Sequence, residues 1–148
     1  GRMAESIDVS ASPQSIWDYV QDYRHRTEWD TTAREYRPIE TDKIGKGVSV
    51  FIKSSGFPAN EYEAVYVNFD PYKVSAIKMT KPIKNVMFNS LAGSWRYQTL
   101  ENGWTHFTMT FEYDLILKFM DQWLVAPILR RGFKQSLANL NRKFQSKH

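Results

Sequence analysis

The stretch WLVAPILRRGFKQSLANLNRKF, residues Trp123 to Phe144, decides how the rest of the chain must fold. Its second part is typical of an amphipathic helix, because residues placed at about 100° per step bring four large apolar side chains onto one narrow stripe. These residues are Phe133, Leu137, Leu140 and Phe144. Such a stripe must pack against another layer, so the helix requires an apolar surface elsewhere in the chain.

Pro127 interrupts the same stretch. The apolar residues before it lie on an arc displaced by roughly a quarter turn from the stripe; they are Phe119, Met120, Trp123 and Leu124. A proline removes one hydrogen bond to the residue four positions back and clashes with that carbonyl. We therefore predict a helix or kinked helix pair over residues 118–145, bent near Pro127, with the two pieces facing different surfaces.

Length and composition indicate one domain with a substantial core. The chain has 148 residues, of which 42% are hydrophobic and 15% aromatic, so many large rings must pack together or line something. We expect residues 3–148 to form that single domain. Gly1 and Arg2 precede Met3 and have the appearance of a cloning remnant, so they are set aside from the fold reasoning.

Several classes of function are disfavoured by what the sequence lacks. There are no cysteines, which excludes disulfides, thiolate metal sites and a cysteine nucleophile, and favours a reducing compartment. No apolar run approaches the roughly 20 residues of a membrane span, and no signal-peptide stretch is present. No nucleotide-binding, serine-hydrolase or zinc-protease motif is found. We expect a soluble cytoplasmic protein without metal or cofactor.

The net charge of +4 is unevenly distributed. From Lys118 onward seven basic residues face a single acid, Asp121, so this part carries +6 and the remainder carries −2. The basic residues surround the apolar stripe on its open sides, as on an ordinary solvated helix. We expect no nucleic-acid partner, because the basic positions are dispersed. Transient contact with a membrane surface through Arg130, Arg131 and Lys134 stays open.

The spacing of apolar residues before this helix changes along the chain, from helical near the N-terminus to strand-like afterwards. An opening strand is followed by a helix with Ser12 as N-cap and Pro13 at its first position, and by a second short helix at residues 25–30. From about residue 33 to residue 117 the period changes to two, and Asn102-Gly103 is a strong hairpin signal. The pattern predicts an α+β fold, in which the terminal helix covers one antiparallel sheet of six to seven strands.

Alternation also assigns the face of the sheet that meets the helix. The predicted inner residues are Val65, Val67, Phe69, Ile77, Met79, Trp95, Tyr97, Phe107, Met109, Phe111 and Tyr113. The opposite positions carry polar residues such as Lys78, Arg96 and Glu112. The sheet should therefore be solvated on one side only.

Three stretches resemble a known superfamily. They are IDVSASPQSIWDYVQDYRHRTEWDTTAREYRPIE (residues 7–40), GKGVSV (45–50) and LVAPILRRGFKQSLANLNRKF (124–144). The resemblance is to the helix-grip fold of START lipid-transfer domains, birch-pollen-allergen proteins and bacterial polyketide cyclases/dehydrases, and it extends from Glu5 to Phe144. It implies a curved sheet wrapped around the terminal helix with a cavity between them, and a first helical piece that helps to close the cavity entrance.

The cavity implied by this resemblance has candidate ligand-binding residues on the inner face and in the first helical piece. They are Val67, Met79, Trp95, Tyr97, Met109, Phe111, Tyr113 and Trp123. The two tyrosine hydroxyls would reach either a ligand carbonyl or a backbone partner, and the methionines and tryptophans would either line the cavity or fill a core. A mostly apolar lining with a few polar groups is the usual construction of a small-molecule site.

Two residues are candidates for catalysis. Glu63 shares the phase of Val65 and Val67, so it would be either a cavity carboxylate or a solvated strand end. Arg130 follows the kink and would either reach the cavity mouth or lie on the surface.

Two functional hypotheses follow. The favoured one is binding or transfer of a hydrophobic molecule such as a lipid, an isoprenoid quinone or a polyketide-like ring. The alternative is an enzyme of the cyclase/dehydratase kind, acting on a ketone-containing substrate in the same cavity. The two differ in whether a pair of ionisable groups converges inside the cavity.

Overall fold

The computed structural model describes residues 1–54, 60–85 and 87–145, with Gln122 described in its backbone only. In chain order the elements are β1 (Arg2–Val9), α1 (Pro13–Val20), a 3-10 turn (Tyr23–His25), α2 (Arg26–Trp29), β2 (Ala33–Pro38), β3 (Ser49–Ser54), β4 (Glu61–Asp70), β5 (Val74–Lys84), β6 (Phe88–Thr99), β7 (Thr105–Leu115), a π turn (Asp121–Val125) and α3 (Ala126–Gln145).

The strands form one seven-stranded antiparallel sheet in the order β1-β7-β6-β5-β4-β3-β2. The sheet curls around α3, and this confirms the predicted α+β helix-grip architecture. Pro38 ends β2, which is an edge strand, where a missing backbone donor is tolerated. The turn at Asn102-Gly103 joins β6 to β7, with Gly103 at φ 84°, as its sequence predicts.

Gly1 and Arg2 belong to the fold, and setting them aside was wrong. Arg2 pairs with Glu112 on β7. The amino group of Gly1 donates to the carbonyl oxygen of Tyr113 at 2.5 Å, and the Tyr113 N–H donates back to Gly1. Two residues that precede the first methionine therefore lengthen an edge strand, because backbone pairing does not depend on side-chain type. Their origin as a cloning remnant stays a prediction.

The helices after β1 begin where the sequence indicates. The Ser12 hydroxyl accepts the N–H of Ser15 at 3.2 Å, and Pro13 opens α1, which buries Ile16, Trp17 and Val20. The second short helix is divided into the 3-10 turn and α2. These two pieces bring the chain back to the sheet in few residues.

The apolar stripe of α3 is confirmed. Phe133, Leu137, Leu140 and Phe144 are buried, each less than 5% exposed. The helix is also held by the loop between α2 and β2: the N–H of Thr31 donates to the Ser136 hydroxyl at 2.9 Å. Stripe and hydrogen bonds together place α3 across the inner face of the sheet.

The segment before α3 differs from the predicted α-helical piece. The N–H of Ala126 donates to the carbonyl of Asp121 five residues back, so the segment is a single π turn. Such a turn holds one extra residue and rotates the preceding positions by about 100° relative to an unbroken α-helix. Consequently Phe119 and Trp123 point outward, 75% and 82% exposed, and do not close a cavity entrance.

The inner-face assignment was wrong for Val65 and Val67 on β4. Tyr62, Ala64 and Tyr66 are buried there, while Val67 is 47% exposed. Both alternating sets on β4 are apolar, so the pattern itself did not discriminate between them. The register shifts between Tyr66 and Asn68, and this bulge returns Phe69 to the inner face.

On the other central strands the predicted inner face is confirmed. Buried residues are Ile77, Trp95, Tyr97, Phe107, Met109 and Tyr113, and Met79 and Phe111 pack against the same core while partly exposed. Among the described residues, no helix is long and apolar enough to cross a membrane.

Candidate functional site

A cavity of about 450 Å³ lies between the sheet and α3. Its apolar lining comes from both layers and includes Ile52, Ile77, Met87, Phe88, Leu91, Met109, Phe111, Leu124, Val125, Leu129 and Phe133. Polar groups are fewer: Arg26, Asp30, Tyr36, Asn60, Tyr62 and Trp95 lie at buried positions of the same lining. The volume falls within the range of small-molecule sites, about 300–1,000 Å³.

The opening of the cavity is marked by the lining residues that are themselves exposed. Ile128, Arg131 and Gln135 lie along one side of α3, and Thr31 lies on the facing loop. Thr31 donates its hydroxyl to the Gly132 carbonyl at 3.0 Å, and a side chain at Gly132 would come within 3.2 Å of Thr32. The close approach of helix and loop therefore sets the width of the opening on this side.

The polar part of the lining is organised by an ion pair. Arg26 and Asp30 stand four residues apart, spanning α2 and the residue after it. The Arg26 Nε donates to Asp30 Oδ2 at 2.8 Å, and their side chains are 4% and 2% exposed. A charged pair this deeply buried has a high desolvation cost, so it is retained only where the geometry compensates for that cost.

Aromatic rings surround the Arg26 guanidinium. Its Cζ lies 4.3 Å from the ring centroid of Tyr36, 4.4 Å from that of Trp95 and 5.0 Å from that of Trp29. Burial opposes its positive charge, but the Asp30 carboxylate and nearby tyrosines more than offset this effect, so the pKa of Arg26 stays above its ordinary value. Arg26 therefore brings a permanent positive charge and several N–H donors to the cavity lining.

Asp30 is less available for chemistry than its partner. Its second oxygen, Oδ1, accepts the Thr32 N–H at 2.9 Å and the Thr32 hydroxyl at 2.6 Å. Both carboxylate oxygens are thus occupied by donors. The carboxylate holds Arg26 and the α2–β2 loop in place, and it is poorly placed to accept a proton from a ligand.

Three tyrosines complete the polar region. Tyr36 and Tyr66 share a hydrogen bond between their hydroxyls, and Tyr62 lines the cavity beside them. Burial is the main cause that raises the pKa of each of the three hydroxyls. These hydroxyls remain protonated near neutral pH and are therefore hydrogen-bond donors rather than bases.

Of the predicted ligand-binding residues, Trp95, Met109 and Phe111 line the cavity. Met79 is on the inner face, but it packs against the core and its sulfur accepts a weak hydrogen bond from Asn85 at 3.8 Å. These four residues share a face as predicted; only the first three are brought together at the cavity.

The two predicted tyrosines have protein partners. The Tyr97 hydroxyl accepts a hydrogen bond from Gln21 Nε2 at 2.8 Å. The Tyr113 hydroxyl donates to Asp121 Oδ1 at 2.5 Å, and burial together with this carboxylate raises the pKa of Tyr113. Neither residue belongs to the cavity lining, and each hydroxyl meets a side chain of the protein instead of a backbone partner. Contact of either hydroxyl with a ligand stays a prediction.

Val67 and Trp123 were also placed wrongly. Val67 follows the buried Tyr66 and lies on the outer face, and the bulge in β4 separates it from the inward-facing Phe69. Trp123 faces outward because of the π turn. Their expected positions assumed an unbroken strand and an unbroken α-helix. Leu124 and Val125, the two residues after Trp123, line the cavity in its place.

The two catalytic candidates do not converge in the cavity. Glu63 follows the inward-facing Tyr62 on β4 and therefore points to the outer face. Arg130 is 54% exposed, and its Nε lies 3.8 Å from the Glu5 carboxylate on β1. Arg131, the next residue, is the arginine at the opening.

The Arg26–Asp30 pair was missed by sequence reasoning, which treated residues 25–30 only as a short helix. A signal was present, because opposite charges at a spacing of four residues share one face of a helix. The adjacent Trp29 indicated that this face is buried. Within residues 1–54, 60–85 and 87–145, no group of three or more metal-ligating side chains could hold a metal ion.

Comparison with known structures agrees with this architecture. The fold resembles a protein of Thermus thermophilus, with a TM-score of 0.79 at 12% identity over 99% of each chain. It resembles the Zhui aromatase/cyclase of a Streptomyces species, with a TM-score of 0.78 at 14% identity over 98% of this chain and 93% of the other. It also resembles norcoclaurine synthase of Thalictrum flavum, with a TM-score of 0.72 at 16% identity over 100% of this chain and 87% of the other.

These identities are low enough that the structural likeness establishes the fold alone. No match was found among curated proteins. The sequence profile described as "Polyketide cyclase / dehydrase and lipid transport" matches residues 1–145, nearly the whole chain. The chain therefore belongs to the polyketide cyclase/dehydrase and lipid transport family.

Proposed function

We propose that the protein binds a small hydrophobic molecule in the cavity between the sheet and α3, and that it stores or transfers this molecule without changing it. The observation that carries the proposal is the cavity itself, about 450 Å³ in volume and lined mostly by apolar side chains. Transfer of apolar ligand surface from water into such a space is favourable, by about 25 cal/mol for each Å² buried.

The buried polar groups favour a particular ligand chemistry. Arg26 and Tyr62 bring hydrogen-bond donors to the lining, while Asp30 has both oxygens occupied. Arg26 is neutralised by Asp30, so a full negative charge gains less there than it would beside an unpaired arginine. A lipid, quinone or polyketide-like ring that carries a carbonyl oxygen matches this arrangement best.

Dye displacement tests the proposal directly. The wild-type protein should bind an apolar fluorescent dye, and a long-chain ketone should displace it. Met109→Trp should abolish dye binding, because Met109 lines the cavity and the larger ring fills its space. Circular dichroism must show that the variant is folded.

Val67→Trp is the matched control, since Val67 lies half exposed on the outer face. This variant should bind the dye with unchanged affinity. Retained affinity in folded Met109→Trp would place the dye outside the cavity and contradict the proposal.

The alternative, a cyclase/dehydratase, is supported by one specific observation: an ionisable pair, Arg26 and Asp30, lies in the cavity lining. Arg26 could polarise a ketone oxygen while an enol carbon of the same chain attacks the ketone carbon, with water leaving afterwards. Because Asp30 is occupied, the proton acceptor would have to be a solvent molecule or the substrate itself.

A linear poly-β-ketone thioester tests this alternative. Mass spectrometry should detect a cyclised product that has lost one water, formed faster with wild-type protein than with Met109→Trp. Equal rates with and without protein would leave ligand binding as the function.

We expect no nucleic-acid partner, and a transient contact between α3 and a membrane surface stays a prediction. Arg130, Arg131 and Lys134 surround one shallow surface depression beside Pro127, which supports such a contact.

A further inference from the structure

The exposed apolar residues of this protein are concentrated in one short segment. Nine large hydrophobic side chains are exposed among the described residues, and five of them lie between residues 116 and 128. They are Ile116 (47%), Leu117 (51%), Phe119 (75%), Trp123 (82%) and Ile128 (44%). Isolated exposed hydrophobic residues are ordinary, but five of them in one short segment, two with nearly free aromatic rings, indicate an interaction surface.

The local backbone explains why these rings are exposed. Met120 and Asp121 close tight turns onto Leu117 and Lys118, and the π turn follows directly. Phe119 and Trp123 project from this segment, four residues apart. The Tyr113 hydroxyl donates to the Asp121 carboxylate at 2.5 Å and ties the segment to β7. The two rings are therefore held outward by a defined structure.

Positive charge accompanies this surface. Residues 116–134 contain Lys118, Arg130, Arg131 and Lys134 against one acid, Asp121, whose carboxylate is already engaged by Tyr113. Two other carboxylates lie near these cations, each at a long ion-pair distance: Glu5 at 3.8 Å from Arg130 and Asp114 at 3.9 Å from Lys118. The surface as a whole remains cationic.

We propose that the segment 116–128, together with Arg130, Arg131 and Lys134, docks onto an anionic lipid bilayer. Aromatic rings at the headgroup level and basic side chains against anionic lipids are the two contributions that hold a protein at a membrane surface. Here both occur on one stretch of chain. A second copy of the protein is less well matched, because the same cations would face each other across a symmetric contact.

The position of this surface relative to the cavity gives the docking a consequence. Leu124, Val125 and Ile128 line the cavity, and Trp123 and Ile128 belong to the docking surface. The π turn and the start of α3 would thus line the cavity with some of their side chains and face the bilayer with others. Docking would place the opening at Ile128 and Arg131 against the lipid phase. The inference goes beyond ligand binding, since it concerns the outer surface and does not require an occupied cavity.

Vesicle flotation tests the proposal. Wild-type protein should float with vesicles of phosphatidylcholine mixed with phosphatidylglycerol, and should float much less with phosphatidylcholine alone. Added salt should weaken the binding, because exposed charges are screened. The double variant Phe119→Ser/Trp123→Ser should lose about tenfold or more in partition coefficient, as expected for two aromatic anchors removed from the interface.

Trp104→Ser is the matched control. Trp104 is 45% exposed in the β6–β7 turn, and Trp104 and Leu117 lie beyond opposite ends of β7. This variant should bind anionic vesicles as the wild type does. All three substituted rings are exposed, so the variants should keep the wild-type circular dichroism and thermal midpoint.

Tryptophan fluorescence gives an independent measurement. Trp17, Trp29 and Trp95 are buried, so Trp123 is the one exposed tryptophan left in a Trp104→Phe protein. Its emission should shift to shorter wavelength when anionic vesicles are added.

Three results would overturn the proposal. The first is an unshifted emission together with no flotation, and the second is undiminished flotation of the Phe119→Ser/Trp123→Ser protein. The third is a wild-type dimer in sedimentation velocity that becomes a monomer in the double variant, since the surface would then be an interface between copies. Dye binding in the double variant should stay unchanged, so failure here is distinguishable from failure of the cavity proposal.

Discussion

At the scale of single residues, the Arg26–Asp30 pair has the largest consequences. It is buried, it holds the α2–β2 loop, and it supplies the charge in the cavity lining. Removal of one partner from such a pair leaves an uncompensated buried charge. We expect Asp30→Asn to lower the free energy of unfolding by about 3 to 5 kcal/mol in a denaturant melt.

Glu35→Gln is the control for this prediction. Glu35 pairs with Arg37 at 3.1 Å, but both side chains are about half exposed. Exposed pairs contribute little, so this variant should stay within roughly 0.5 kcal/mol of wild type. Similar losses in the two variants would contradict the burial of the Arg26–Asp30 pair.

The buried stripe of α3 supports a second prediction. Leu140 is fully buried and Leu137 is 3% exposed. Truncation of either one to alanine should cost about 2 to 5 kcal/mol, through lost burial and the cavity that remains. Arg142→Ala, on the exposed side of the same helix, should change stability by no more than about 0.5 kcal/mol. Urea denaturation of the three variants measures the difference, and equal costs would mean that the helix face is misassigned.

At the scale of elements, the π turn accounts for Pro127. Proline is the second residue of α3, and a missing backbone N–H is tolerated better in the first turn of a helix than in its interior. The Ala126 N–H reaches back five residues to Asp121, and the helix enters its regular geometry from there. The proline therefore disturbs little. Pro127→Ala should change the free energy of unfolding by less than about 1 kcal/mol.

Ala138→Pro provides the contrast. Ala138 is exposed in the middle of α3, so the substitution removes a helical hydrogen bond without altering the core. It should cost about 3 kcal/mol or more, measured in the same denaturant series. A large loss for Pro127→Ala together with a small loss for Ala138→Pro would contradict the assigned helix boundary.

At the scale of the whole molecule, an occupied cavity should stabilise the fold. A ligand present at about 100 times its Kd adds about 2.7 kcal/mol when it binds only the folded state. For a chain of this size that corresponds to a rise in Tm of roughly 5 to 10 °C. Differential scanning fluorimetry with the ketone probe measures the shift. Met109→Trp should show no rise, and a similar rise in that variant would place the stabilising site elsewhere.

The parts of the fold that could be predicted are those where local pattern and tertiary environment agree. The Ser12–Pro13 helix start, the Asn102-Gly103 turn and the apolar stripe of α3 each follow from nearest neighbours in the chain. The candidate site was predicted less well. Trp95, Met109 and Phe111 line the cavity as predicted. Val67, Trp123 and the two catalytic candidates, Glu63 and Arg130, lie outside the cavity lining.

The physical reason is that one extra residue changes the direction of the neighbouring side chains. In a strand it moves them to the opposite face, and in a helix it rotates them by about 100°. A bulge in β4 exchanges its inner and outer faces near Val67, and the π turn moves Trp123 from the cavity to the surface. The bulge in β4 has no signal in the residue pattern, because it depends on how the neighbouring strand is positioned. Pro127 and the displaced apolar arc mark the place of the π turn, but they do not indicate its hydrogen bonding.

By itself, the sequence determined the fold class, the order of the elements and the apolar face of α3, because periodicity, capping and turn chemistry act over a few residues. Only the tertiary structure decided which residues meet in the cavity. It also decided that Arg26 is buried among aromatic rings and that Phe119 and Trp123 face outward. Those outcomes depend on contacts between segments that lie far apart in the chain, where the packing of one element sets the environment of another.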